Sequence, residues 1–243
     1  MRTAAILPVK RFAAAKSRLG ATVAEELRSE LARAMVLDVL LALAQASSLE
    51  CTIVVTREQS LHAAAREHGA VIVEDSDERG QSAAVMLGVR RALAEGIERV
   101  LCIPGDCPAL EPAELDALLG APAGHAGAGA PEVVIVPDRH GTGTNGLLLT
   151  PPDAISPSFG PGSCERHREL ARAAGATCRL ERPPSLLLDI DTGADLAALR
   201  ERLGGEPASG PRGDASRTRG DASRTRAVLR QRQRPQMLTA GSG

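Results

Sequence analysis

Three short stretches of this sequence hold residue types suited to handling phosphate and metal. Cys102–Leu110 (CIPGDCPAL) runs from an apolar segment into Gly105 and Asp106. An aspartate at the tip of a strand, beside a glycine, can hold a divalent cation against phosphates. It can equally cap a turn or the helix expected from Pro112. Leu186–Leu196 (LLLDIDTGADL) carries Asp189 and Asp191, which fall on one side of an extended chain. Two carboxylates that close repel unless a cation lies between them. Thr192 and Asp195 instead have the spacing of a helix capping box, so Asp195 reads as structural.

The third stretch, Leu7–Leu19 (LPVKRFAAAKSRL), places Lys10, Arg11, Lys16 and Arg18 after an apolar run. Of the 29 Lys+Arg in the chain, Lys10 and Lys16 alone are lysines. An arginine-biased composition accounts for most of that imbalance but not for both exceptions falling in one loop. Lysine is a compact point charge, whereas arginine is a planar fork. The confinement therefore points to a phosphate-facing role, with a solvated basic segment as the alternative. The loop is neither a P-loop nor a dinucleotide turn, because GxxxxGK[ST] is absent and no glycine precedes Gly20. Pro137–Ser163 adds two Gly-Thr pairs, then Gly160, Gly162 and Ser163 just before a helix, which is a generic anion cradle. His140 reads as a turn residue rather than a catalyst.

These segments need a scaffold, and the flanking pattern supplies one. Apolar strand-like runs at Thr3–Val9, Cys51–Thr56, Ala70–Glu74, Arg99–Ile103, Glu132–Val136, Gly146–Leu149 and Leu186–Ile190 alternate with helical stretches. The helices are expected at Thr22–Ala46, Gln59–Glu67, Ser82–Ala94, Pro112–Leu119, Pro161–Ala174 and Thr192–Leu203. Continuous apolar strands alternating with helices predict an α/β fold, a mostly parallel sheet with helices on both faces. Ligands in such sheets bind beyond the carboxyl ends of the strands. The loops after the first, fourth and last strands are those that hold Lys10, Asp106 and Asp191.

The chain has no Trp, no Tyr and two Phe among 243 residues, yet 43% are hydrophobic. The aromatic poverty excludes stacking platforms for single-stranded nucleic acid and the aromatic belts of membrane proteins. Five cysteines with no CxxC spacing argue against a disulfide framework or a zinc ribbon. With no signal-like or membrane-length run, the expected location is cytoplasmic. Residues 204–243 differ in character from the preceding chain. They carry eight arginines against three acids, a net of +5 that leaves −6 for the rest, and repeat RGDASRT at 212–218 and 219–225. The expected organisation is a domain over 1–203 and a basic, disordered tail over 204–243.

With these motifs in order, the chain resembles the phospholactate/phosphoenolpyruvate guanylyltransferases of deazaflavin coenzyme F-420 biosynthesis. Those belong to the wider molybdenum-cofactor-guanylyltransferase-like nucleotidyltransferases. The pieces that carry the resemblance are LPVKRFAAAKSRL, PGDCPAL, PDRHGTGTN, FGPGSCERH and LDIDTGADL, within about residues 3–203. The resemblance implies a Rossmann-like nucleotidyltransferase fold and transfer of GMP from GTP to a small phosphoacid, with release of pyrophosphate. It implies a Mg2+ site at Asp106, Asp189 and Asp191, and phosphoacid contacts at Thr144, Gly160 and Ser163. It places Leu7, Lys10, Lys16, Arg18, Gly80 and Ser82 on the nucleotide, with Lys10, Lys16 and Asp106 catalytic.

The implied partners are GTP and a phosphorylated three-carbon acid (phosphoenolpyruvate or 2-phospho-L-lactate), with no membrane or nucleic-acid partner; a homodimer is compatible with the sequence. Two rivals stand beside this reading. One is a related nucleotidyltransferase with a molybdopterin, sugar-phosphate or 3-phosphoglycerate acceptor. The other is a non-catalytic nucleotide- or RNA-binding protein that uses the basic tail.

Overall fold

The computed structural model describes residues 1–15, 19, 24–121, 130–204 and 222–231. Its centre is a seven-stranded sheet in the order β3-β2-β1-β4-β6-β5-β7. β1 (Thr3–Val9) lies parallel between β2 (Cys51–Thr56) and β4 (Arg99–Cys102), with Ile6 level with Ile53 on one side and Cys102 on the other. β3 (Val71–Glu74) extends the parallel half. β6 (Thr144–Thr150) runs antiparallel to both β4 and β5 (Glu132–Pro137), and β7 (Thr177–Leu180) closes the edge parallel to β5.

The two-residue period of β1 sorts the core into layers. Ala5, Leu7 and Val9 pack with α1 (Glu25–Gln45) and α4 (Pro112–Gly120) on one face. Ala4 and Ile6 pack with α3 (Gln81–Ala94) and α5 (Ser163–Ala173) on the other. α3 comes unusually near the sheet at Gly88, where a Cβ would stand 2.5 Å from Ile6 Cγ2. Near the sheet's first edge lies the short α2 (His62–Glu67). All five cysteines are free thiols. Among the described residues no helix is long and apolar enough to cross a membrane.

Two expectations are corrected. Leu186–Ile190 is not a strand: Pro184–Leu186 forms a 3-10 turn and the rest is irregular. Its apolar residues are nonetheless buried, Leu186 and Ile190 completely. A short apolar run reports burial before it reports conformation. The edge place beside β5 is taken by Thr177–Leu180, a run whose residues alternate between partly buried and exposed. Within the tail expected to lack structure, Ser223–Gln231 is a helix, α7, packed on α1. Val228 and Leu229 join Leu31 and Met35 of α1 and Leu196 and Leu199 of α6 (Gly193–Gly204) in a third apolar cluster. The buried Asp38, set in the apolar middle of α1, accepts the backbone N–H of Thr225 at 2.8 Å and of Arg224 at 3.2 Å. A carboxylate bound this way caps the orphan donors of a helix start and removes the cost of its own burial.

Candidate active site

The strand order turns back on itself between β1 and β4, and a cavity of about 950 Å³ opens beyond their carboxyl ends. This is the switch point at which open α/β sheets bind ligands. Lys10 follows β1 and faces the cavity from an exposed position. Asp106 follows β4 and lines the same cavity. The chain reaches Asp106 through Gly105, where a Cβ would lie 2.8 Å from Val36 Cγ2 of α1. The glycine therefore lets the β4 exit pass close under α1 and brings Asp106 into the opening.

A backbone bond joins the two acidic motifs: Ile190 N–H donates to the Asp106 carbonyl at 3.1 Å. Asp189 and Asp191, flanking Ile190, both line the cavity. Burial, and next the neighbouring Asp106 carboxylate, push the Asp189 carboxyl above its ordinary range. A hydrogen bond from Asn145 Nδ2 at 3.2 Å works in the opposite direction. Asp195 has the structural role its spacing predicts. Its Oδ2 accepts from Thr192 N at 2.6 Å and Asp191 N at 3.1 Å, and Thr192 Oγ1 accepts from Asp195 N at 3.3 Å. This capping box, tied further by Arg139 at 2.6 Å, fixes the path of 189–192.

A further part of the lining comes from β6 and the loop into α5. Thr144, Gly160 and Ser163 line it together, with Ser163 Oγ 3.1 Å from Thr144 Oγ1. Asp138 builds the preceding turn, accepting from Thr142 N at 2.9 Å, and Thr142 O in turn accepts from Cys164 N at the start of α5. Gly80, in a left-handed conformation at φ 103°, and Gln81 line the cavity at the start of α3. Lys10 and Arg11 thus stand in one opening with Asp106, Asp189 and Asp191 and with the small hydroxyl and glycine positions of Thr144, Gly160 and Ser163.

Two residues expected on the nucleotide do not line the cavity. Leu7 is fully buried between the sheet and α1, so its side chain belongs to the core and not to the nucleotide side. Ser82 does not line the cavity; its Oγ accepts the Phe159 N–H at 2.9 Å and so ties the α3 start to the loop before α5. Lys16 and Arg18 lie outside the described residues.

Two residues of the site escaped the sequence reading. Asn145 is buried in β6 and holds both the Leu186 carbonyl, at 2.9 Å, and Asp189. A buried amide in a run of apolar strand residues was the available signal. His167 is fully buried in α5, behind Thr144.

Comparison with known proteins agrees with this geometry. The family model described as guanylyl transferase CofC like matches residues 3–205. A phosphoenolpyruvate guanylyltransferase from Conexibacter woesei is 49% identical over 201 residues, 83% of this chain and 88% of that protein. Another from Sphaerobacter thermophilus is 37% identical over 218 residues, 89% of this chain and 99% of that one. Among solved structures, a putative nucleotide-diphospho-sugar transferase from Desulfovibrio desulfuricans G20 superposes with a TM-score of 0.67 at 18% identity, covering 96% of each chain. A nucleotidyl transferase from Methanothermobacter superposes with a TM-score of 0.58 at 20% identity, over 83% of this chain and 97% of that one. Those structures speak to the fold, and the sequence relatives to the kind of enzyme. Because the match takes in the whole sheet and every cavity-lining segment, the chain belongs to the CofC-like guanylyl transferase family and is an enzyme of the nucleotidyltransferase class.

Proposed function

We propose that this enzyme joins the GMP unit of GTP to the phosphate of a three-carbon phosphoacid, phosphoenolpyruvate or 2-phospho-L-lactate, as a step towards coenzyme F-420. The observation that carries the reading is the meeting of two residue sets in one cavity. Lys10 and three carboxylates line it together with a small Thr144–Gly160–Ser163 cradle at the sheet's switch point.

In the reaction a phosphate oxygen of the acceptor attacks the α-phosphorus of GTP. A P–O bond forms to the acceptor, the bond bridging the α- and β-phosphorus breaks, and pyrophosphate leaves with its electron pair. The attacking oxygen is already ionised near neutral pH, so no general base is required. Such transfers depend on positioning and charge neutralisation. Lys10 meets the triphosphate and the negative charge growing on the leaving pyrophosphate. Lys16 and Arg18 belong to the same basic segment and are assigned there by resemblance. Gly80 presents backbone to the nucleotide, and Thr144, Gly160 and Ser163 orient the acceptor.

The acidic set fits Mg2+. Among the described residues no three His, Cys, Asp or Glu side chains form a ready-made metal cage. Mg2+ is commonly held by one or two carboxylates together with substrate phosphates rather than by an all-protein cage. Asp106, Asp189 and Asp191, the first two close enough for Asp106 to raise Asp189, supply oxygen donors of that kind. The ion, when bound, would neutralise the two anionic substrates at the point where they meet.

Release of pyrophosphate, measured for GTP, ATP and CTP each paired with phosphoenolpyruvate, 2-phospho-L-lactate and 3-phosphoglycerate, tests the reading. GTP with one of the first two acceptors is expected to give the largest kcat/KM. Coupling to the next enzyme of the pathway guards against loss of an unstable product. No release from any pair rejects the proposal.

A further inference from the structure

We infer that His167 is a positioning residue: it fixes the hydroxyl protons of the Thr144–Ser163 pair so that one O–H is left to donate to an anionic oxygen of the phosphoacid. The inference rests on the acceptor-side assignment proposed above and names a residue that this assignment does not include.

The protons on these three side chains can be counted. The backbone N–H of Ser158 stands 2.9 Å from His167 Nε2. A backbone N–H only donates, so Nε2 must be the accepting nitrogen, and the neutral ring then carries its proton on Nδ1. Nδ1 lies 3.0 Å from Thr144 Oγ1, and Ser163 Oγ lies 3.1 Å from the same oxygen. The two hydroxyls own two protons, and their mutual bond uses one. Because His167 brings its own proton to Thr144, the second hydroxyl proton is surplus. Thr144 and Ser163 both line the cavity, so the surplus donor is available on the side where the acceptor's carboxylate or phosphate would sit. In the opposite tautomer Thr144 would donate to Nδ1 and Ser163 to Thr144, both protons would be consumed internally, and the pair would offer an incoming anion only lone pairs.

The surroundings hold the ring in the useful state. His167 is fully buried, and the Phe159 ring meets it edge-on with centroids 5.2 Å apart. The Arg166 guanidinium donates to the carbonyls of Ser158, Phe159 and Pro161, so the loop that supplies the Ser158 N–H is itself clamped. Burial, helped by the Arg166 charge, brings the His167 pKa down to about 4, which keeps the ring neutral in the working range. His167 does not itself line the cavity. It acts through Thr144.

Long-range 1H–15N correlation on the full chain labelled with 15N-histidine reads the tautomer directly, and an Nδ1–H signal for His167 is expected. In kinetics, His167→Leu is expected to raise KM for the phosphoacid about tenfold or more, the loss of one hydrogen bond to a charged group, with KM for GTP within about twofold of wild type. His167→Asn places an amide where Nδ1 stands and is expected to recover most of that loss, although, like Leu, it gives up the Ser158 bond. A merely structural histidine would leave the two variants alike. An Nε2–H signal, equal rises in both KM values, or an Asn variant as impaired as Leu overturns the inference. Should the Leu variant fail to fold, the wild-type tautomer and the Asn kinetics decide. Absence of turnover by the wild type with every phosphoacid overturns the function reading itself, whereas an Nε2–H signal in an active enzyme overturns only this role.

Discussion

Asn145 and Asp189 are 44 residues apart in the chain, yet Asn145 Nδ2 donates to Asp189 Oδ1 at 3.2 Å. The same amide group donates to the Leu186 carbonyl at 2.9 Å. One buried side chain on β6 therefore anchors the irregular 186–191 segment to the rigid sheet and aims its first carboxylate. Asn145→Ala is expected to leave the Leu186 carbonyl without this donor and to cost about 1–3 kcal/mol of stability. Turnover is expected to fall about tenfold or more as Asp189 loses its orientation. Urea unfolding and the pyrophosphate assay measure the two effects. Unchanged turnover in a folded Asn145→Ala protein would show that Asp189 needs no such support.

Asp106 and Lys10 approach the same space from the ends of adjacent parallel strands. Asp106→Asn keeps shape and removes charge, so its melting temperature should stay near wild type while turnover falls by about two or more orders of magnitude at saturating Mg2+. Lys10→Ala should raise KM for GTP and lower kcat, by about 10²-fold in kcat/KM. Lys10→Arg should restore only part of this, because a planar fork does not replace a compact ammonium. Near-normal turnover in Asp106→Asn would remove that residue from the metal assignment.

His167 also gives stability a defined pH dependence. Its pKa is about 4 in the folded chain against an ordinary value of 6.5. Between those values the folded state binds fewer protons than the unfolded state, so stability rises with pH. The His167 contribution is complete above about pH 6.5 and is lost as the pH falls towards about 4, by about 3 kcal/mol in all. Chemical denaturation from pH 7.5 to 4.5 should show this slope in the wild type and a flatter one in His167→Asn. Equal slopes would place the proton elsewhere.

Asp38 and α7 make a matching pair on the far side of α1. Asp38→Ala should release the start of α7 and cost about 1–2 kcal/mol, the usual cost of a lost helix cap. Removing residues 205–243 should lower the melting temperature by several degrees, because Val228 and Leu229 no longer cover the apolar cluster that includes Met35. Met35 also lines the cavity, so the truncated enzyme should show a raised KM for substrate as well. An unchanged melting temperature on truncation would show that α7 contributes nothing to the fold.

Much of this protein was legible in one dimension. Continuous apolar runs and the helical stretches between them are local properties, so the first six strands and the helices up to α6 were readable from the sequence pattern. The Thr192–Asp195 box was legible for the same reason, since both partners lie within one helical turn. So was the meeting of Lys10 with Asp106, because strand-end loops in a parallel sheet gather at one edge.

Tertiary structure decided the rest. Leu186–Ile190 has the apolar content of a strand, but its backbone partners are Asp106 and Asn145, which no local pattern announces. Thr177–Leu180 became a strand because β5 had a free edge beside it. Asp38, a charge in the apolar middle of α1, has its donors in α7, about 190 residues onward. His167 owes its tautomer to a backbone N–H nine positions earlier and its consequence to a hydroxyl on another strand. Local sequence determines most of the elements that form, whereas long-range contacts decide the remaining ones, which polar groups are satisfied inside and which are left to face a ligand.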